Sequence, residues 1–355
     1  MQSQRLSKHA ILVARHLSIK YLWIDTLCII QDSVEDWHAE SALMGHIYSN
    51  AYCNISATAA ANSSQGLFLK RDVCERQQNR AFLTIDSVKS LYSFKEDLFW
   101  RVNVSNAPLN QRAWVFQENL LSPRNIHFGT KEVYWEYCEF STCETEPNNI
   151  YPGIQGTSIK DRFQKLLKVN EDPTMRSEQT YELWWEHWWE LIETYATMSL
   201  THQTDRLIVI SGIASHFQPK VSGKYLAGIW SHNLPRDLLW RAKAPGLRSD
   251  DYIGPTWSWA ACISSTASPK RSVQSPEICM IERYSCDIVP VGENMFGQIK
   301  SGLLELHGLL ATAVVPIGRQ TCELQVQTVA ESLKRLIGVD LDYQEDVDSL
   351  TPGDL

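Results

Sequence analysis

No apolar run in this chain reaches the roughly 18 to 20 residues that a membrane span requires, and the opening MQSQRLSKHAILVARHLSIK carries no signal-peptide cleavage pattern. Both absences point away from a membrane span. Basic charge is also short: 33 Lys and Arg stand against 41 Asp and Glu, a formal net charge of -8. No positive field therefore favours nucleic acid or an anionic membrane as a partner. Cysteine is present, nine in all, but an odd number at irregular spacing fits a reducing, cytoplasmic setting better than a disulfide framework. Cys138 and Cys143 have no second pair or histidine at finger spacing, so no metal site is expected. Gly-x-x-x-x-Gly-Lys and Gly-x-Ser-x-Gly are both missing, which removes the common phosphate-loop and esterase readings.

The chain has 355 residues, 44% of them hydrophobic, enough to bury a core in one large domain or two ordinary ones. Leu6, Ala10, Val13 and Leu17 recur at helical spacing. YLWIDTLCII, residues 21 to 30, reads as a buried parallel strand. Ser33 and Asp36 have the spacing of a capping box ahead of a helix over 34 to 49, with Trp37, Ser41, Met44 and Tyr48 on one face. AYCNISATAA supplies the next strand. Helix, strand, helix, strand implies a parallel sheet flanked by helices, with 21 to 30 and 51 to 58 as neighbouring or near-neighbouring parallel strands.

Residues 62 to 110 read as a loop-rich insertion with a hairpin near RAFLTID. A helix over about 110 to 121 is stopped by Ser122-Pro123, because the residue before proline is driven out of the helical region. Two strands follow around Gly129-Thr130, and residues 141 to 180 look like a long polar surface connection. Trp184, Trp185, Trp188 and Trp189 make one broad helical face that reads as core packing rather than a cofactor platform. The remainder is a Trp-rich α+β region.

The chemistry that remains is acidic. Asp25 sits in an apolar run, where an ionised side chain is costly unless it is paired or emerges at a strand's carboxyl end. A hydrogen bond to a nearby loop, or pairing with Arg112, accounts for it equally well. Glu118 lies four residues after Trp114, which places ring and carboxylate on one helix face. A nucleotide's base or sugar could rest there. Pairing of Glu118 with Arg112 or Arg124 is the structural alternative.

YLWIDTLCIIQDSVEDWHAESALMGHIYSNAYCNISAT, GLFLKRD, LNQRAWVFQENLLSPRNIHFG and VYWEYC together resemble the fungal heterokaryon incompatibility (HET) domain. LTHQTDRLIVISGIA, YLAGIW, LLWR and PTWSWA resemble pieces that accompany it. The resemblance assigns 1 to 140 to the domain, 141 to 180 to a linker and 181 to 355 to the accompanying region. It also implies a first strand like Y-x-x-L-S-Y-x-W-G ahead of YLWID. Met1 falls after that point, so a domain lacking a middle strand is expected.

The family implies an effector of cell death after incompatible fusion between fungal cells, working as a homo-oligomer or with other incompatibility proteins. HET domains are in turn distantly similar to TIR domains, with a TIR-like, flavodoxin-like sheet. In TIR enzymes the corresponding helix carries Trp-Cys-x-x-Glu. Trp114 and Glu118 occupy those positions and Val115 replaces the cysteine. Carried over, Glu118 would be catalytic, Trp114, Asp25 and Arg112 would line the substrate site, and NAD would be a substrate, with no resident cofactor. A non-enzymatic module that signals by homotypic assembly, and an inactive relic, are the competing readings.

Overall fold

The structure is a computed structural model. It describes residues 4–62, 64–71, 80–85, 88–93, 99–138, 140–147, 158–169, 178–244, 246–247, 249–269, 281–308, 312–314, 321–327 and 336–340. The chain divides into two compact units, Met1–Pro173 and Thr174–Leu355.

In the first unit, helix α1 (Gln4–His16) lays Leu6 and Val13 against a core of Ala57, Ala60, Leu67, Ile126 and Phe128, and Leu17 just beyond its end joins them. The helix ends because Ser18 turns into the left-handed region at φ 59°. Its N–H then reaches Arg15 O, and the N–H of Ile19 reaches Ala14 O, closing the last carbonyls.

Residues 21 to 30 depart from the expected strand. Ile24 is extended (φ -137°, ψ 123°), but Asp25–Cys28 forms a four-residue helix, α2. The reason is local satisfaction of the backbone: Asp25 Oδ1 accepts the N–H of Thr26, and the N–H groups of Leu27 and Cys28 both reach Ile24 O. A ladder also needs a neighbour, and among the described residues none pairs with 21 to 24. The expected parallel pairing of 21 to 30 with 51 to 58 is therefore not formed.

Helix α3 (Val34–Ser49) is capped as its sequence suggests, with Ser33 Oγ accepting the N–H of Asp36. Asp36 does not complete the reciprocal box; its carboxylate accepts the N–H of Ile30 and ties the preceding turn to the helix. Strand β1 (Asn54–Ser56) follows, and then the antiparallel hairpin of β2 (Arg80–Ile85) and β3 (Val88–Ser93), as expected near RAFLTID. A 3-10 turn over Pro108–Gln111 leads into α4 (Ala113–Leu121), which ends where Ser122 becomes extended before Pro123.

Strands β4 (Arg124–Phe128), β5 (Val133–Tyr137) and β6 (Ser141–Cys143) complete a sheet of order β1-β4-β5-β6. β1 runs parallel to β4, with Ile55 opposite Ile126 and Ser56 opposite His127. The other pairs are antiparallel. Gly129 opens the β4–β5 turn, and a Cβ there would lie 2.5 Å from the Tyr134 ring. This is a mixed α/β sheet flanked by helices. Helix α5 (Ile159–Val169), with Phe163 fully buried, packs on α4. Both β6 and α5 lie in the stretch expected as a surface connection; the polar residues around them, and the buried Ser141, Thr142, Lys160 and Asp161 within them, hide two short elements.

The second unit is built on α6 (Glu178–Tyr195), whose four tryptophans are at most 3% exposed, as a core helix requires. Helix α7 (Arg206–Phe217) is buried almost throughout. The β7 (Tyr225–Leu226) and β8 (Ile229–Trp230) hairpin turns through Ala227 and Gly228, both at positive φ. The indole N–H groups of Trp188 and Trp259 both donate to Gly228 O. Helix α8 (Leu234–Asp237) then brings in Asp237, fully buried. Its Oδ1 accepts the indole N–H groups of Trp185 and Trp189, at 2.6 and 2.9 Å, and its Oδ2 the N–H of Trp230, at 3.0 Å. A buried acid organises the aromatic core because it answers three donors that would otherwise be stranded.

Candidate active site around Glu118

Helix α4 is fixed on the sheet by an amide chain next to Glu118. Asn54 Nδ2 donates to Asn119 Oδ1, Asn119 Nδ2 donates to Asn110 Oδ1, and Asn125 Nδ2 donates to Asn119 O, each at 3.0 Å. The helix therefore cannot rotate without breaking bonds to β1 and β4. Val115, Phe116, Leu120 and Leu121 are buried, while Glu118 keeps a partly accessible surface.

Three elements converge on the Glu118 carboxylate. Tyr48, in the last turn of α3, donates its hydroxyl to it. Asp25, exposed at the start of α2, opposes it with like charge, and Arg112, exposed at the N-terminal cap of α4, favours it. Burial is the largest influence and Asp25 the next. Against the Tyr48 hydrogen bond and Arg112, they push the Glu118 carboxyl up to about 7. The same burial, with Glu118 and Asp25 nearby, pushes the Tyr48 phenol well above its ordinary range. At neutral pH the site thus holds an acid close to half-ionised and a neutral hydroxyl donor, with the exposed Asp25 side chain nearby.

Aromatic rings surround these groups. Trp23 meets Tyr48 edge-on at 5.8 Å, and Trp37 of α3 meets Trp114 of α4 edge-on at 6.4 Å. Asp25 and Arg112, expected together with Glu118 from the sequence, both lie close enough to act on its charge. Trp114 is half-buried and its ring engages Trp37 across the α3–α4 contact. Tyr48 is the site residue that sequence reasoning misses. A signal for it exists: a tyrosine closing the apolar stripe of α3 buries a hydroxyl that must find a partner.

A second polar cluster lies deeper in the sheet. Thr58 Oγ1 and His127 Nδ1 are 3.0 Å apart, and His127 Nε2 stands 3.6 Å from Glu136 Oε2. Glu136 also accepts from Asn125 Nδ2 at 2.7 Å and faces Lys160 Nζ at 3.5 Å. Burial alone would raise the Glu136 carboxyl, but Lys160, followed by His127 and Asn125, brings it down to about 2. The order hydroxyl, imidazole, carboxylate is that of a nucleophilic triad. Thr58 and His127 are 0% and 1% exposed, so no substrate reaches them, and the cluster is structural. In the second unit, an open pocket of about 340 Å³ is lined by Leu238, Trp240, Thr256, Trp257, Leu304 and Leu306, with no acid or base among them. Among the described residues no helix is long and apolar enough to cross a membrane.

The first unit is thus an α/β domain whose helices gather an acid pair, a tyrosine and an arginine beside a parallel strand pair. Residues 1–118 match the family described as Heterokaryon incompatibility protein (HET), so this part of the chain is similar to that family, and the match runs up to Glu118 itself. No curated protein and no solved structure matches the chain.

Proposed function

We propose that this chain is an effector of heterokaryon incompatibility that triggers cell death by cleaving nicotinamide from NAD, with Glu118 as the catalytic carboxylate. The convergence of Asp25, Tyr48 and Glu118 at one place carries the reading. The Trp-x-x-x-Glu likeness to TIR enzymes at Trp114 and Glu118 adds to it, although fold likeness by itself does not assign an activity.

The chemistry requires a carboxylate, not a carboxylic acid. As the bond between ribose C1′ and the pyridinium nitrogen breaks, its electron pair moves to the ring nitrogen and nicotinamide leaves neutral. Positive charge then develops on the ribose as an oxocarbenium ion. An ionised Glu118 beside C1′ stabilises that charge and holds the ribose hydroxyls. Water adds to C1′ and releases its proton. A group titrating near 7 meets this need in two ways: a good fraction is ionised at neutrality, and a bound cation raises that fraction. Asp25 adds negative charge for the pyridinium, Trp114 offers ring surface, and Arg112 a partner for phosphate. Assembly with a second copy or with other incompatibility proteins would bring the effector into its active form.

The test is induced expression of the wild type and of Glu118→Gln in fungal cells, following viability and NAD content together. Death with loss of NAD in the wild type, and neither in the variant, is the expected pair. Death with unchanged NAD would instead favour signalling by homotypic assembly. A variant that still kills removes Glu118 from the mechanism.

A further inference from the structure

The aromatic core of the second unit leaves two strong donors unanswered. In that core the indole N–H groups of Trp185 and Trp189 go to Asp237 Oδ1, and those of Trp188 and Trp259 go to Gly228 O. Trp184 Nε1 and Trp230 Nε1 are buried with no acceptor among the described residues. Their residues are 0% and 2% exposed. An indole N–H donates and never accepts, and a buried one without an acceptor calls for an explanation.

Both rings line one small niche. Trp185 is a third buried wall, while Tyr181, Ser222 and the exposed His232 line its more accessible side, with the Tyr181 and His232 rings 5.4 Å apart. Its free volume is about 10 Å³, room for one oxygen-sized group and not for a ring. Charge narrows what can enter. Asp237 accepts from Trp185 Nε1 at 2.6 Å and from the backbone N–H of Trp230 at 3.0 Å, so a carboxyl group already backs two of the walls and disfavours an anion. The Arg236 guanidinium lies 3.3 Å from the centre of the Trp185 ring, so a face that could receive a cation already holds one. An acceptor without charge is what remains.

We infer that this niche is a binding site for a neutral carboxamide, whose oxygen accepts from Trp184 and Trp230 together. A carbonyl oxygen has two lone pairs, one for each indole. The remainder of the amide rests on the accessible side, against Tyr181 and His232. Water is the competing occupant of that size, but it brings two hydrogens that need acceptors of their own, and a carbonyl brings none. The second unit thereby carries a recognition site of its own, which neither uses nor requires the chemistry at Glu118.

The probe is N-methylacetamide, with acetate and tetramethylammonium as its anionic and cationic counterparts. Nitrogen–proton NMR of the whole chain, labelled in its tryptophans, reads each indole N–H separately. The signals of Trp184 and Trp230 should move saturably with N-methylacetamide and stay in place with either ion. Trp184→Phe and Trp230→Phe assign those signals, and each should weaken binding by about five- to tenfold, the loss expected for one neutral hydrogen bond. Ser222→Leu narrows the accessible side without touching the buried walls and should abolish the saturable shift.

Indole signals that ignore the probe and show transfer from water alone mean that the niche holds only water, and they overturn the proposal. An equal response to acetate does the same. Should the two tryptophan variants not fold, Ser222→Leu decides: a protein that melts like the wild type and still binds the probe as tightly refutes the site.

Discussion

Replacing Glu136 by glutamine tests the energetic centre of the first unit. Its carboxylate is 11% exposed and faces a Lys160 side chain that is 4% exposed, at 3.5 Å. Glutamine keeps the shape and one acceptor for Asn125, but it leaves the Lys160 ammonium buried without its counter-charge. Breaking one side of a buried pair costs about 3 to 5 kcal/mol. A second, independent route gives a similar size. The folded carboxyl sits at about 2 against an ordinary value of 4.5. Each pH unit of such a difference is about 1.4 kcal/mol, so the group contributes about 3.5 kcal/mol.

The sign follows from the depressed value. The contribution is complete above about pH 4.5 and is lost as pH falls through that value toward 2, where the folded carboxylate finally takes a proton. Urea unfolding monitored by fluorescence and circular dichroism, repeated across that range, measures both quantities. Glu136→Gln should lose about 3 kcal/mol or more at neutral pH and should lack most of the wild type's acid-side decline. Adding Lys160→Met should return a large part of the loss, because the stranded charge is gone. A single variant within about 0.5 kcal/mol of the wild type, with its acid-side slope intact, would refute a buried ionic role for this cluster.

Asp237→Asn should destabilise the second unit by about 2 to 4 kcal/mol, because an amide group then meets one of the three donors it now satisfies; thermal unfolding reads this. Burial raises the Asp237 carboxyl to about 6, so its contribution is complete below about 3.8 and declines as pH rises through 6, opposite in sense to Glu136. Gly228→Ala should cost about 2 kcal/mol or more and lower the melting temperature, since φ is 104° and the new Cβ would sit 2.5 Å from Trp259 Nε1. Glu118→Gln should leave melting temperature near the wild-type value while abolishing NAD loss, and wild-type activity should rise with pH through about 7 as Glu118 ionises.

Local physics makes several elements legible in the amino-acid order itself. The helical spacing of α1 and α3, the Ser33 cap, the Ser122-Pro123 stop of α4 and the burial of the four tryptophans all depend on neighbours within a few positions. Glu118 stands out for the same reason, one turn from Trp114 on a helix whose limits can be read. The 21 to 30 segment shows where that reasoning ends: an apolar run signals burial, but a strand exists only beside another strand, and none of the described strands takes that place. β6 and α5 stay hidden because much of what they bury is polar: Ser141 and Thr142 in β6, Lys160 and Asp161 in α5. Sequence alone thus determined α1, α3, α4 and α6, the cap of α3, the stop of α4 and the acid that draws attention. Only the tertiary structure decided which strands pair, that Lys160 reaches Glu136 from 24 residues away, and that Tyr48 reaches Glu118. Hydrogen bonding and charge act through space, and the chain order of those residues says nothing about their distance.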